Sequence, residues 1–368
     1  MLAVSLNIVN GFTGQFSIGH AAFYAIGGYV AGMISYYASI QLWDSPTSWG
    51  SILSPTSINV VYQSLIFVIA LLCGGIVAAL AGWLVGLPSL RLRGDYLAIV
   101  TLGFGEIVRV LLQQTNEQIF TRSDLHAASR DELFPPPVGG ALGFINIPKM
   151  TSLFWAVLLA CACVLFAWRL KKSTFGRAMI AIRENEIAAE AMGVNITRLK
   201  VWAFVFAAFF AGIAGGLYAH EAGTQIGPGD AGFTRSFDVV IMVVLGGLGS
   251  ITGSILAATI LTIANEWLRE PTHVWHIGLA LLALRLMVQP KQRFRAIVWS
   301  LSAIAAIEGA RSIAIRLQID LGEYRMVIFA LMLIVMMILR PQGLFGTHEF
   351  SDLLPRRRRP GRGFEVST

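Results

Sequence analysis

Residues 10–23 read NGFTGQFSIGHAAF, which sets Gly11, Gly14 and Gly19 and a series of hydrogen-bonding side chains inside an otherwise apolar stretch. In hydrocarbon a backbone group without a partner costs several kcal/mol, so irregular backbone survives at membrane depth only where protein or a water-filled path surrounds it. The stretch is therefore expected to line a pathway, with Gly11, Thr13, Gly14, Gln15, Ser17 and His20 as candidate lining residues. His20 has a second reading, because a lone intramembrane histidine also ties neighbouring helices together.

Around this break the chain reads as an all-α, polytopic membrane protein. Of its 368 residues 55% are hydrophobic and 13% charged, with a mean hydropathy of +0.67, far from the balance of a soluble domain. A helix crosses the roughly 30 Å hydrocarbon core in about 20 apolar residues. Such runs occur at 17–40, 58–86, 95–112, 152–169, 200–219, 296–317 and 324–339. Shorter ones lie at 236–247 and 251–268, and another at 274–288 is interrupted by Arg285. Roughly eight to ten membrane helices follow, some broken or half-length. Cys73, Cys161 and Cys163 sit in apolar runs without metal-ligand spacing and read as small buried hydrophobes.

A second glycine cluster, LGGLGSITGS at 245–254, divides another apolar region into pieces too short to span comfortably. Paired interrupted segments in the two halves of a membrane chain point to a transporter's solute path. This adds Gly246, Gly247, Gly249 and Ser250 to the candidate pathway residues. Helix packing through small residues accounts for glycines such as Gly27, Gly28, Gly212 and Gly215 without any solute.

Basic residues mark cytoplasmic connections. They crowd 88–94, the loop 171–199, positions 291–295 and the tail 347–368 with its run Arg356–Arg359, whereas 41–57 and 113–151 carry no such excess and are expected outside. The C-terminus is then cytoplasmic. Much of the formal charge of +7 comes from the terminal arginine cluster, which is expected beside an anionic leaflet, so membrane lipid is the expected partner and nucleic acid is not. Glu106/Arg109, Glu266/Arg269 and Glu308/Arg311 place opposite charges three residues apart on one helical face, which makes them tolerable as local ion pairs. No catalytic constellation and no metal site is expected; His273 and His276 lack a nearby carboxylate or thiolate set.

Within 171–199, FGRAMIAIRENEIAAEAMGVN at 175–195 is rich in helix formers, with Gly193 as a left-handed stop and Asn195 or Thr197 as the cap of the next helix. Arg183, Glu184, Glu186 and Glu190 alternate with small and apolar residues. That pattern suits docking of a soluble partner and equally suits a solvated helix on the inner leaflet.

Four blocks give the chain a specific likeness: NGFTGQFSIGHAAF, LPSLRLRGDYLAIVTLGFGEIVRVL (87–111), the 175–195 loop, and LGGLGSITGS with LRPQGLFG (339–346). Together the chain resembles the permease subunits of ATP-binding-cassette importers for branched-chain amino acids, in the LivM-like branch. The resemblance implies a permease domain over 1–346 and a basic tail. It also implies a related sister permease, two ATP-binding subunits and an external solute-binding protein, working by alternating access in a bacterial plasma (inner) membrane. It places Glu186, Glu190 and Gly193 at the ATPase interface and the broken helices along the path. The sequence contains no G-x-x-x-x-G-K-[ST] phosphate loop, so no cofactor is expected on this chain and ATP is used by the partners. Urea, short amides or another small polar solute are alternative cargoes within the same class; an ion-driven carrier or an intramembrane enzyme would be different classes. Family members carry a further segment upstream, which suggests a late start codon, and the stretch 272–318 has no counterpart in the resemblance.

Overall fold

The structure, a computed structural model, describes residues 1–43, 57–89, 95–221 and 225–269, together with positions 331, 334, 338, 343 and 346. The segment 272–318, the tail 347–368, the pair Glu308/Arg311, His273, His276, Arg285, the basic positions 291–295, the runs at 274–288 and 296–317 and most of 324–339 and LRPQGLFG lie outside the described residues. So do 44–56 and 90–94 of the two short connections, and the side chains of Glu266 and Arg269.

The described chain is built of helices: α1 (Leu2–Asn7), α2 (His20–Trp43), α3 (Ser57–Ser89), α4 (Asp95–Gln113), the short α5 (Arg122–Ala127) and α6 (Arg130–Leu133), then α7 (Leu153–Lys172), α8 (Thr174–Glu184), α9 (Glu186–Ala191), α10 (Ile196–Ala219), α11 (Phe233–Gly246) and α12 (Ile251–Arg269). Among the described residues, Tyr62–Leu87, Tyr96–Gln113, Leu153–Lys172 and Ile196–Ala219 are long and apolar enough to cross a membrane. The protein is an all-α, multi-pass membrane protein. The chain divides into two compact units, 1–255 with 342–368, and 256–341; the site described below lies in the first.

The centre of that unit is formed by α2, α3 and α10. α2 was read as a lipid-crossing run at 17–40, but it starts only at His20 and is not one of the four apolar spans. Its tyrosines and serines (Tyr24, Tyr29, Tyr36, Ser35, Ser39) are buried by protein, which relieves it of the need for a lipid-compatible surface. Close approach makes this possible: a Cβ on Gly27 would lie 2.2 Å from Gly212 Cα, so the backbones of α2 and α10 touch. A Gly27→Leu substitution forces the helices apart. Overpacking of this kind costs about 1–3 kcal/mol or more, to be seen as a lowered melting temperature of the detergent-solubilised protein; an unchanged melting curve would refute the contact.

The loop 113–151 is ordered against the C-terminal half of α2. Tyr36 donates to Ile119 O at 3.2 Å, and Phe144 pairs with Ile226 through backbone bonds of 2.8 and 3.3 Å. Two expectations need correction. Cys163 is buried, but Cys73 is only partly so and Cys161 is exposed, because α7 offers much of its surface outward, where a small apolar thiol suits lipid. The 175–195 stretch is two helices rather than one. Asn185 adopts an extended conformation between α8 and α9, and its side chain accepts from Ala188 N at 3.0 Å to start the second. Gly193 takes its left-handed conformation (φ +82°), and Asn195 caps α10 by accepting from Arg198 N at 2.9 Å.

Candidate functional site

The first break begins where α1 widens into a π-helical turn, Ile8–Phe12, and continues as non-helical chain to the start of α2. Such a turn leaves carbonyls without the usual partner four residues on, and side chains replace them. Asn10 bridges the break through Nδ2 to Ser17 O (3.3 Å) and Oδ1 from Ser17 N (3.1 Å). Thr13 Oγ1 donates to Val9 O at 2.7 Å, and Thr101 Oγ1, from α4, accepts from Ile18 N at 3.0 Å. The Gly11 carbonyl accepts from Arg183 Nη1 at 2.7 Å. His20 is buried, 2.8 Å from Ser5 Oγ and edge-on to Phe23; its ring joins α1 to α2.

The second break is positioned against the first. α11 stops at Gly246, Gly247 and Gly249 take φ of +110° and +91°, and the Ser250 hydroxyl accepts from Gly253 N at 3.0 Å to start α12. Asn7 joins the two breaks, its Nδ2 donating to Ser250 O (2.9 Å) and its Oδ1 accepting from Gly249 N (2.8 Å). The approach is so close that a Cβ on Gly11 would lie 2.3 Å from Gly249 N. Lys171, at the end of α7, donates to Gly249 O at 2.7 Å. α11 is also anchored at its start, where Glu106 Oε1 accepts from Phe233 N at 3.2 Å while Oε2 holds Arg109 at 2.6 Å. The local ion pair expected there thus doubles as a helix cap.

The candidate pathway residues therefore share one region. Gly11, Thr13, Gln15, Ser17, His20, Gly246, Gly247, Gly249 and Ser250 are buried, and Gly14 is exposed. A cavity of about 260 Å³ is lined by Thr13, Gly14 and Gln15 on the break side and by Arg183, Glu186 and Lys200 on the loop side. Lys200 pairs with Glu186, and Arg183 pairs with the exposed Glu184 at 2.8 Å. Ser17, His20 and the second break do not line this cavity. Glu190 and Gly193 lie on the exposed side of the loop, with Ile187 73% and Met192 84% exposed.

Sequence reasoning missed Asn7, Thr101, Lys171 and Lys200. A buried-helix asparagine so close to a glycine break was the available signal for Asn7; nothing local marked the others. The result is a continuous polar chain from Arg183 on α8, through Gly11 and α1 to Asn7, and on to Gly249 and Lys171. Among the described residues no group of three or more His, Cys, Asp or Glu side chains gathers to hold a metal ion.

The family described as branched-chain amino acid transport system, permease component, matches residues 1–337. The chain is 36% identical over 285 residues to the high-affinity branched-chain amino acid transport system permease protein LivM of Salmonella typhimurium, and 35% identical to that of Escherichia coli. Each alignment covers 73% of this chain and 61% of the relative, so the match spans about three-fifths of the length of these curated relatives. The permease protein LivH of Salmonella typhimurium is 27% identical over 301 residues, covering 79% of this chain and 89% of the relative. No solved structure matches.

Proposed function

The chain belongs to the branched-chain amino acid transport permease family, and from that premise we propose that it is the membrane-spanning subunit of an ATP-binding-cassette importer for branched-chain or related amino acids. Two ATP-binding subunits power it, a sister permease of the LivH kind completes the pathway, and an external solute-binding protein delivers cargo. It is a transport subunit in a bacterial plasma membrane, not an enzyme. The loop 171–199 and the tail face the cytoplasm, and 113–151 faces outward.

The observation that carries this reading is the bond from Arg183 to Gly11 O. It fastens the cytoplasmic loop to the first broken helix, so a partner that moves α8 and α9 moves the break. Ile187, Met192 and Glu190 form the docking face, since exposed large apolar side chains on a polar loop suit a protein partner better than solvent. ATP-driven closure of the partner ATPases would shift α8 and Arg183, and with them Gly11, Asn7 and Gly249, between outward- and inward-open arrangements.

Glu190→Lys reverses a charge on that face without touching the Arg183 link. Recovery of the ATP-binding subunits on affinity-purified permease should fall about tenfold, the effect of roughly 1.4 kcal/mol, with leucine uptake falling in step and membrane insertion unchanged. Unaltered recovery and uptake would remove the docking assignment. Uptake into proteoliposomes that requires ATP and survives collapse of ion gradients separates this mechanism from an ion-driven carrier.

A further inference from the structure

Arg235 is a charge that the coupling reading does not use. It lies in the first turn of α11, whose start is level with the middle of an apolar span: Phe233 N is held by Glu106 of α4, eleven residues from Asp95 and seven from Gln113, about 16 and 10 Å of helical rise. One turn on, Ser236 Oγ accepts from Ala21 N at 3.3 Å, at the start of α2. A cation at such depth is disfavoured on insertion and is by default a functional group. Its place in the helix adds to this, because the first turn of a helix carries the positive end of the dipole and favours an anion there.

The surroundings supply part of what the charge needs. The guanidinium carbon stands 5.7 Å from the Tyr24 ring centre and 5.5 Å from that of Tyr218, so two aromatic rings from α2 and α10 hold it in place. Asp230, in the short 3-10 turn Pro228–Ala231 that precedes α11, acts on it electrostatically. The Asp230 carboxylate is itself fixed by accepting from Gly227 N at 2.9 Å. Both Arg235 and Asp230 are only partly buried, within reach of a solute. A guanidinium fork on an aromatic wall, with a carboxylate nearby, presents the complement of a zwitterion: Arg235 for an α-carboxylate in bidentate geometry, Asp230 for an α-ammonium.

We propose that Arg235 and Asp230, backed by Tyr24 and Tyr218, form a mid-membrane station that reads the two charges of a zwitterionic amino acid as it passes. This rests on the amino-acid cargo proposed above. The rival is that Arg235 merely braces α2, α10 and α11.

The test uses the full complex with its ATP-binding subunits, sister permease and binding protein in proteoliposomes, with L-leucine as probe, and measures uptake and ATP hydrolysis together. Arg235→Gln and Asp230→Asn should each lower uptake about tenfold or more, as loss of a charged hydrogen bond does, while hydrolysis stimulated by the loaded binding protein stays within about twofold. Arg235→Lys keeps the charge but not the two-pronged geometry, so its uptake should stand between that of Arg235→Gln and that of the parent. Normal uptake in Arg235→Gln or in Asp230→Asn overturns the station. So does uptake falling together with hydrolysis, the behaviour of a brace, or uptake in Arg235→Lys no higher than in Arg235→Gln. A parent complex whose uptake does not depend on ATP would instead sink the importer reading, so the two failures are distinguishable.

Discussion

Replacing Asn7 with leucine, a side chain of similar volume, should leave a permease that is inserted but thermally weak and inactive. Asn7 is fully buried and supplies both a donor to Ser250 O and an acceptor for Gly249 N. Leucine offers neither, so a backbone carbonyl and a backbone amide are left buried without those partners. Ser250 O keeps its bonds from Ser254 N (3.1 Å) and Ser254 Oγ (2.9 Å), but Gly249 N is orphaned at about 1–3 kcal/mol, and with the lost bond to Ser250 O the total is roughly 2–4 kcal/mol, a large part of the stability margin of many domains. No neighbouring side chain is released to take over, because Asn10 is occupied with Ser17 and Lys171 with Gly249 O. Thermal unfolding in detergent should show the loss directly, and uptake should fall below detection. A variant that melts and transports like the parent would show that the two breaks do not depend on each other.

Arg183→Met should produce the opposite kind of defect: a folded, assembled complex that hydrolyses ATP but transports poorly. Methionine keeps an apolar stem and removes the guanidinium. The lost bond to Gly11 O, 2.7 Å long and charge-assisted, is worth about 1.5–3 kcal/mol, a factor of roughly ten to a hundred in the population that depends on it. The bond to Glu184 contributes little, since that carboxylate is exposed. Docking residues Ile187, Glu190 and Met192 are untouched, so recovery of the ATP-binding subunits should be unchanged. ATP hydrolysis without uptake is thus expected here, where Glu190→Lys loses assembly. If Arg183→Met transported normally, the loop would be joined to the pathway by some route other than Gly11.

Both predictions depend on residues of unequal visibility. Arg183 could be picked out because the loop pattern around it is local: helix formers, a glycine stop and charges at helical spacing appear in one stretch. Its target could not, since nothing at 183 specifies a carbonyl at 11. His20 was legible as polar and intramembrane, and two readings followed; its partner Ser5 lies fifteen residues upstream in α1, and nothing at 20 specifies it. The split between α8 and α9 was missed because Asn185 is a tolerable helix residue by propensity, whereas in the fold it caps α9 and the next residue, Glu186, pairs with Lys200 of α10. α2 was legible as an apolar run, but hydropathy reports what a segment is made of, not which neighbour covers it.

Sequence by itself determined the all-α membrane architecture, the two glycine-marked breaks and the charged, helix-forming loop 171–199. Each follows from short-range physics: apolar length against bilayer thickness, glycine freedom and helix propensity. Only the tertiary structure decided what satisfies the broken backbone, because those partners are remote along the chain. Asn7 meets Ser250 across 243 residues and Arg183 meets Gly11 across 172. The same holds for Arg235, an ordinary basic residue in the sequence whose aromatic neighbours Tyr24 and Tyr218 are brought to it only by the fold.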